Sequence, residues 1–460
     1  MPKLDPNSDA FRHAGHKLID WIGDYFERID DYNVLSRVQP GDVARQFAAA
    51  PREEGAPYDE LLAEFQQKLL PGVTHWNHPA FFAYFAITGS QAGVLGELLS
   101  GALNLNGMLW RTSPALTELE TVALAWLRDA LGLPNNLFGI INDTASINSF
   151  LGLAAARQLA APDVRTKGLR ETLRIYCSEH AHSSIDKAVI ALGIGLDNVV
   201  HIGSDDDYRM RADLLEAAIA RDKAAGFKPC AISATLGTTS TASVDPLPAI
   251  AAIAKRERIW LHVDAAYAGP ATLCPEFRWL WDGIEHADSI VTNPHKWLFT
   301  PVDCSVLYTK HPDVLREAFS LVPPAYLTTS DGAAVNYMDY GIQLGRRFRA
   351  LKLWLVLEHY GLERLREVLR GHVALAERLA AELAKRDDVE LMAKQSFGVV
   401  VFALKEGDAA TDALLQRING SGQAFVSNTK LRGRYCVRVA IGNGATEWRH
   451  VERILEQIET

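Results

Sequence analysis

Six short apolar runs constrain this chain most: LFGIIN (137–142), LRIYCS (173–178), CAISATLG (230–237), IWLHVD (259–264), SIVTN (289–293) and CSVLYT (304–309). Each is apolar at successive positions, so a strand built from it needs cover on both faces. Helix-length segments separate the runs. That succession gives an α/β fold with a mostly parallel sheet between layers of helices. Ligands of such sheets gather at the carboxyl ends of the strands.

A chain of 460 residues is too long for a single core. Residues 8–30 repeat apolar positions at helical spacing (Phe11, Leu18, Ile22, Tyr25, Phe26, Ile29), and 58–70 does so again before Pro71-Gly72. We expect residues 1–85 to form a helical layer that needs a partner surface, 86–350 a large sheet domain, and 351–460 a smaller α/β domain. FGVVVFAL (397–404) is the clearest strand of that last part. The stretch VPPAYLTTSDGAAVN (322–336) has no hydrophobic period and reads as a loop.

Composition narrows the function. The net charge is −9 with no basic stripe, so no nucleic-acid partner is expected. The five cysteines are scattered and never form a CxxC pair, which suits a reducing compartment. MPKLDPNSDA lacks the features of a signal peptide, and no uncharged apolar run reaches the ~18 residues of a membrane span. A cytoplasmic protein without membrane contact is expected.

Polar residues cluster at the predicted strand ends. Lys296 closes an apolar run and is followed by Trp297, where an ammonium is hard to solvate. Asp264 ends IWLHVD. NDTAS (142–146) turns a strand into a helix whose first N–H groups suit a phosphate dianion. His182 follows the strand at 173–178, where a flat ring can stack on a planar ligand. Singly, each has an ordinary reading: a snorkelling lysine, a strand-end cap, a helix N-cap by Thr144 or Ser146, a structural histidine. The histidines and aspartates are poorly spaced for a metal centre, and no metal is expected. Together the four features make one toolkit: an amine for a Schiff base, a carboxylate for a pyridine nitrogen, a phosphate cradle and a ring cover. That toolkit serves pyridoxal 5'-phosphate.

The motifs NPHKW, HVDAAYAG, DTAS, AHSS, GVTHWNHP and LGRRFRALKLW resemble those of the group II pyridoxal-phosphate decarboxylases, most nearly the aromatic-L-amino-acid decarboxylases. The resemblance runs from about residue 10 to about 445, in family order. It implies an aspartate-aminotransferase-like (fold type I) architecture and a homodimer with shared active sites. It implies Lys296 as the Schiff-base lysine, Asp264 as partner of the pyridine nitrogen and His182 as the stacking ring. Ala145 and Ser146 match the phosphate turn, Asn293 and His295 flank the phosphate, Thr239 lies near the ring, and Ala266 packs on its other face. Tyr326 resembles a loop tyrosine that closes over the partner's site and helps protonate Cα.

The same resemblance implies a lyase of aromatic amino acid metabolism, releasing an arylalkylamine and CO2 from tryptophan, phenylalanine, tyrosine or DOPA. Trp76, Tyr84 and Phe85 match the aromatic pocket. Ala86-Ile87 stands where relatives usually have Pro-Thr, and Asn106 and Met108 replace mostly apolar or aromatic lining residues. An aromatic aldehyde synthase on the same scaffold is the alternative. Its members tend to replace the loop tyrosine or the stacking histidine, and both Tyr326 and His182 are present here.

Overall fold

The computed structural model describes Leu4 and residues 7–321 and 334–459. A seven-stranded sheet forms the centre. Its strands are β2 (Phe138–Asn142), β3 (Leu173–Ser178), β4 (Val199–Ile202), β5 (Lys228–Thr235), β6 (Trp260–Asp264), β7 (Ser289–Thr292) and β8 (Ser305–Thr309), in the order β2-β8-β7-β6-β5-β3-β4. β3 to β7 run parallel, and β8 is antiparallel to both of its neighbours, β7 and β2. The six runs read from the sequence are all strands. The missed one, β4, is an edge strand with His201 exposed, so it lacks the apolar pattern on both faces.

A smaller sheet holds β1 (Phe81–Phe82), β9 (Val389–Leu391), β10 (Val399–Leu404), β11 (Phe425–Leu431) and β12 (Arg434–Ala440), in the order β1-β11-β12-β10-β9. β1 comes from the segment expected to be a helical layer. Its pairing with β11 ties that segment to the carboxyl-terminal sheet. The helix Arg349–Ala384 bends at Gly361, whose φ of +67° no other residue adopts cheaply.

Close packing and a buried ion pair brace the large sheet. The helix Ala145–Ala160 lies against β5 to β8 so tightly that a Cβ on Gly152 would come within 2.8 Å of His262 Nδ1. Edge strand β2 is held by the ion pair in place of a neighbouring strand. Ile141 N donates to Glu120 Oε1 (2.9 Å), while Arg346 Nη2 donates to Ile141 O (2.8 Å) and to Glu120 Oε1 (2.6 Å). Arg346 belongs to the LGRRFRALKLW motif, so part of that motif fixes the strand that leads into the NDTAS turn.

The core contains neutral histidines. His262 bonds Ser289 Oγ through Nδ1 (2.8 Å) and Ser149 Oγ through Nε2 (3.3 Å). His372 Nδ1 accepts from Trp297 Nε1 (3.0 Å), and Nε2 donates to Asn443 O (2.8 Å). Burial pushes both down to about 4. Below pH ~6.5 the unfolded chain therefore takes up protons that the native state refuses, and stability falls as the pH falls. Asp245, raised by burial to about 6, acts in the opposite sense, because its cost in charged form is relieved on acidification. We expect denaturant melts to lose on the order of 1.4 kcal/mol per pH unit for each histidine between pH ~6.5 and ~4. His372→Gln should be less stable at neutral pH yet show a shallower acid slope; an unchanged slope would remove this account.

Candidate active site

The carboxyl ends of β5, β6 and β7 open into a cavity of about 190 Å³. Register fixes its floor: Thr235 on β5 pairs with Asp264 on β6, and Asp264 pairs with Val291 on β7. Lys296 follows β7 on the short helix Pro294–Trp297, and it lines the cavity with Asp264. The Lys296 side chain is partly exposed where it meets the cavity. Burial lowers its basicity, the Asp264 carboxylate opposes that, and the Arg438 charge adds to it.

The turn at 142–146 supplies another wall. The helix begins at Ala145, and Thr144 makes no side-chain cap; its N and Oγ1 donate instead to Asp143 Oδ1 (2.6 and 3.2 Å). The first turn of a sixteen-residue helix is thus left without the ordinary N-cap. Beside it runs a buried polar chain. His295 Nε2 lies 3.3 Å from the Asn293 amide, Ser305 Oγ donates to Asn293 Oδ1 (2.5 Å), and Asn148 Nδ2 donates to Ser305 Oγ (2.7 Å). His295 Nδ1 accepts from Cys304 N (2.9 Å), which leaves its proton on Nε2. Burial, then the Lys296 charge, pushes this ring down to about 3, so it stays neutral.

His182 stands at the open side of the cavity, one edge facing solvent. Surrounding protein and then Lys296 hold its pKa below the usual histidine value. Its Nδ1 accepts from Ser184 N (3.1 Å), so the neutral ring presents an Nε2–H. Ala266, whose N donates to Asp264 Oδ1 (3.0 Å), lies on the wall with Thr239. Phe85 closes the inner side. Its ring stacks on Tyr267 (centroids 3.8 Å, 17°), which stacks on Trp297 (4.9 Å, 14°).

All nine residues expected to hold the cofactor therefore line one cavity: Lys296, Ala145, Ser146, His182, Thr239, Asp264, Ala266, Asn293 and His295. Of the seven expected at the substrate, only Phe85 does. Trp76 stacks on Phe81 and Tyr84 (centroids 4.3 and 5.7 Å), and Ala86 is buried beside Ile87. Asn106 Oδ1 accepts from Arg346 N (3.0 Å), and Met108 O accepts from Met338 N (3.3 Å), so both tie the 106–110 turn to residues 334–346. Tyr326 lies outside the described residues. Three lining residues escaped the sequence reading: Thr235, Gly237 and Tyr267. Pairing of β5 with β6 would have found Thr235, but register is not visible in separate runs.

Pyridoxal phosphate fits this donor set. A carboxylate, an amine and an uncapped helix end face one cavity, and the buried Thr235 Oγ1 has no partner among the described residues, leaving it open to a polar ligand. The fold and this set of groups define a fold type I pyridoxal-phosphate enzyme. Residues 40–405 match the family model described as pyridoxal-dependent decarboxylase conserved domain, and the chain belongs to that family, with pyridoxal phosphate as its cofactor. It is similar to phenylacetaldehyde synthase of Arabidopsis thaliana (40% identity; 98% of this chain, 96% of the relative). It is also similar to aromatic-L-amino-acid decarboxylase of Sus scrofa (39%; 98% and 96%). The structure of Oryza sativa TDC with PLP and tryptamine superposes with a TM-score of 0.96 at 36% identity, covering 100% of this chain and 98% of that one.

The polar chain behind the turn yields a test. Ser305→Ala leaves Asn293 and Asn148 without their shared partner, at about 1–3 kcal/mol. We expect pyridoxal phosphate to bind on the order of tenfold or more weakly in an absorbance titration, with the fold intact by circular dichroism. Unchanged affinity would mean that the chain does not support the cofactor.

Proposed function

We propose that this protein decarboxylates aromatic L-amino acids, releasing CO2 and an arylalkylamine. The observation that carries the reading is one cavity lined by Lys296 and Asp264 and walled by Phe85. Bound there, pyridoxal phosphate supplies an acceptor for the electron pair left at Cα when CO2 departs. Lys296 Nζ, its basicity lowered by burial, would hold the cofactor at its carbonyl end. The Asp264 carboxylate keeps the ring nitrogen's proton in place. Ala145, Ser146, Asn293 and His295 hold the phosphate end. His182, Ala266 and Thr239 would border the cofactor's ring. Tyr326 donates the proton that replaces the carboxylate on Cα.

The names of the relatives support an aromatic side chain, as do the rings beside the cavity. Phenylacetaldehyde synthase among them supports the aldehyde-forming alternative. The presence of Tyr326 and His182 favours the amine. We further propose a homodimer with shared sites, in which Trp76, Tyr84, Ala86, Ile87, Asn106 and Met108 act at the substrate and residues 1–85 dock on the partner. The helix Gln91–Leu103 supports this: Leu95, Leu98, Leu99 and Leu103 form an exposed stripe at helical spacing, the kind of face that a second subunit covers. The five buried free cysteines agree with a cytoplasmic location.

The direct test is product analysis by mass spectrometry with L-tryptophan, phenylalanine, tyrosine, DOPA, histidine and glutamate. An aromatic amine with matching CO2 is expected; product from glutamate alone would overturn the substrate reading. Lys296→Ala should retain no pyridoxal phosphate covalently after borohydride reduction and lose nearly all turnover. Tyr326→Phe should shift product from amine towards aldehyde while keeping the cofactor, and an unchanged amine yield would remove Tyr326 as the proton donor.

A further inference from the structure

Behind the Phe85 wall lies a second cation, Arg438 on β12, which is 2% exposed. Its Nη1 donates to Tyr84 O and its Nε to Ser240 O (3.2 Å), both uncharged carbonyls. Its Nη2 meets no acceptor, and no carboxylate pairs with it, among the described residues. Burial draws this guanidinium down to about 10, so it is still charged at neutral pH. A buried cation is ordinarily paired, because the low-dielectric interior penalises an isolated charge. Here the compensating anion is missing.

The position of that charge gives it a use. Arg438 Cζ lies 4.6 Å from the Phe85 ring centroid, and Lys296 Nζ lies 5.1 Å from the same centroid. Two basic groups thus lie against one buried aromatic ring. The groups that face Lys296 are few. Asp264 on β6 favours its ammonium form, Arg438 on β12 opposes it, and His182 and His295 are made less basic by desolvation and by the Lys296 charge. A carboxylate beside Arg438 would cancel its field, and an apolar residue would supply none. The unpaired arginine leaves Asp264 opposed.

We infer that Arg438 is a positioning residue whose uncompensated charge, beside the same Phe85 ring, disfavours the ammonium form of Lys296 Nζ and so favours its nucleophilic form. A neighbouring cation is one of the two general means of activating a lysine amine, and burial is the other; this cavity applies both. The inference rests on Lys296 being the cofactor's lysine. Arg438 touches none of the reacting atoms in this scheme. Its backbone strand is shared with the small sheet, so the protonation state of an amine in the large sheet is set from the smaller one.

The experiment is trace labelling of the cofactor-free full-length chain with acetic anhydride from pH 6 to 10, with Lys296 acetylation read by peptide mass spectrometry. Arg438→Gln keeps donors for the Tyr84 and Ser240 carbonyls but removes the charge. At pH 7.5 its Lys296 should label on the order of tenfold more slowly than in the wild type, with the half-point moved to higher pH. Lys310 should keep its wild-type profile, which reports an intact fold. Arg438→Lys should restore most of the Lys296 reactivity. A wild-type Lys296 profile in Arg438→Gln overturns the inference, and so does an Arg438→Lys variant that labels like Arg438→Gln. Should Arg438→Gln fail to fold, Arg438→Met is read against the same two outcomes. A Lys296→Ala chain that still captures pyridoxal phosphate covalently would instead overturn the assignment of the lysine, whatever the Arg438 variants do.

Discussion

The pairing of β6 with β5 and β7 is the constraint on which the site depends. Asp264 is the last residue of β6, and register sets it beside Thr235 and Val291, so that its carboxylate meets Lys296 as the chain leaves β7. Lys296 is 32 residues beyond Asp264 in sequence, yet the crossover between parallel strands returns the chain to the same end of the sheet. A slip of one residue in β6 would turn Asp264 into the other face and bury its charge among the helices. Gly152 lets the helix Ala145–Ala160 approach the sheet, and the His262–Ser289–Ser149 bonds hold that register. The helix end that faces the cavity and the strand that carries Asp264 are therefore fixed by one packing arrangement.

The small sheet takes part in the site through rings and backbone bonds. Tyr267, stacked between Phe85 and Trp297, accepts from Gly398 N at 3.2 Å, and Trp297 donates to His372 on the long bent helix. A Cβ on Gly398 would lie 2.3 Å from Ile441 O, so the glycine is required for this close approach. The column of rings thus crosses from the cavity wall to the carboxyl-terminal part. Each ring is buried, and in a close-packed interior a displaced ring must displace its neighbour. The two sheets are mechanically joined at the residues nearest the reacting amine.

Much of this was legible in the sequence, for identifiable reasons. Strands covered on both faces announce themselves as apolar runs, so six of the seven strands of the large sheet were read, while β4, an edge strand with His201 exposed, was not. The nine residues expected at the cofactor line one cavity because each lies at or shortly after a strand end or at a helix start, and strand ends are brought together by topology alone. Thr235 needed register, Tyr267 needed a stacking partner, and Arg438 needed the absence of a carboxylate, three facts that exist only between segments. Asn106 illustrates the limit from the other direction. A polar residue among apolar neighbours reads as a ligand for substrate, and only the structure shows that its Oδ1 also accepts from Arg346 N and anchors the chain beyond residue 333.

The charge pattern of the cavity also explains why its histidines are where they are. Lys296 in the cavity and Arg438 behind its Phe85 wall are two basic groups near one carboxylate, Asp264, among the described residues. A further cation there would be repelled, and His182 and His295 are each held below the usual range, by burial first and Lys296 second. Their backbone partners settle the remaining choice: Ser184 N and Cys304 N occupy Nδ1 in each ring, so both Nε2 atoms carry protons. The result is two neutral donors flanking the basic groups, a state suited to hydrogen bonding an anion without adding charge to the lysine. Had either histidine presented Nδ1–H instead, the backbone N–H beside it would be left unpaired in a buried place. The tautomers are consequences of the fold.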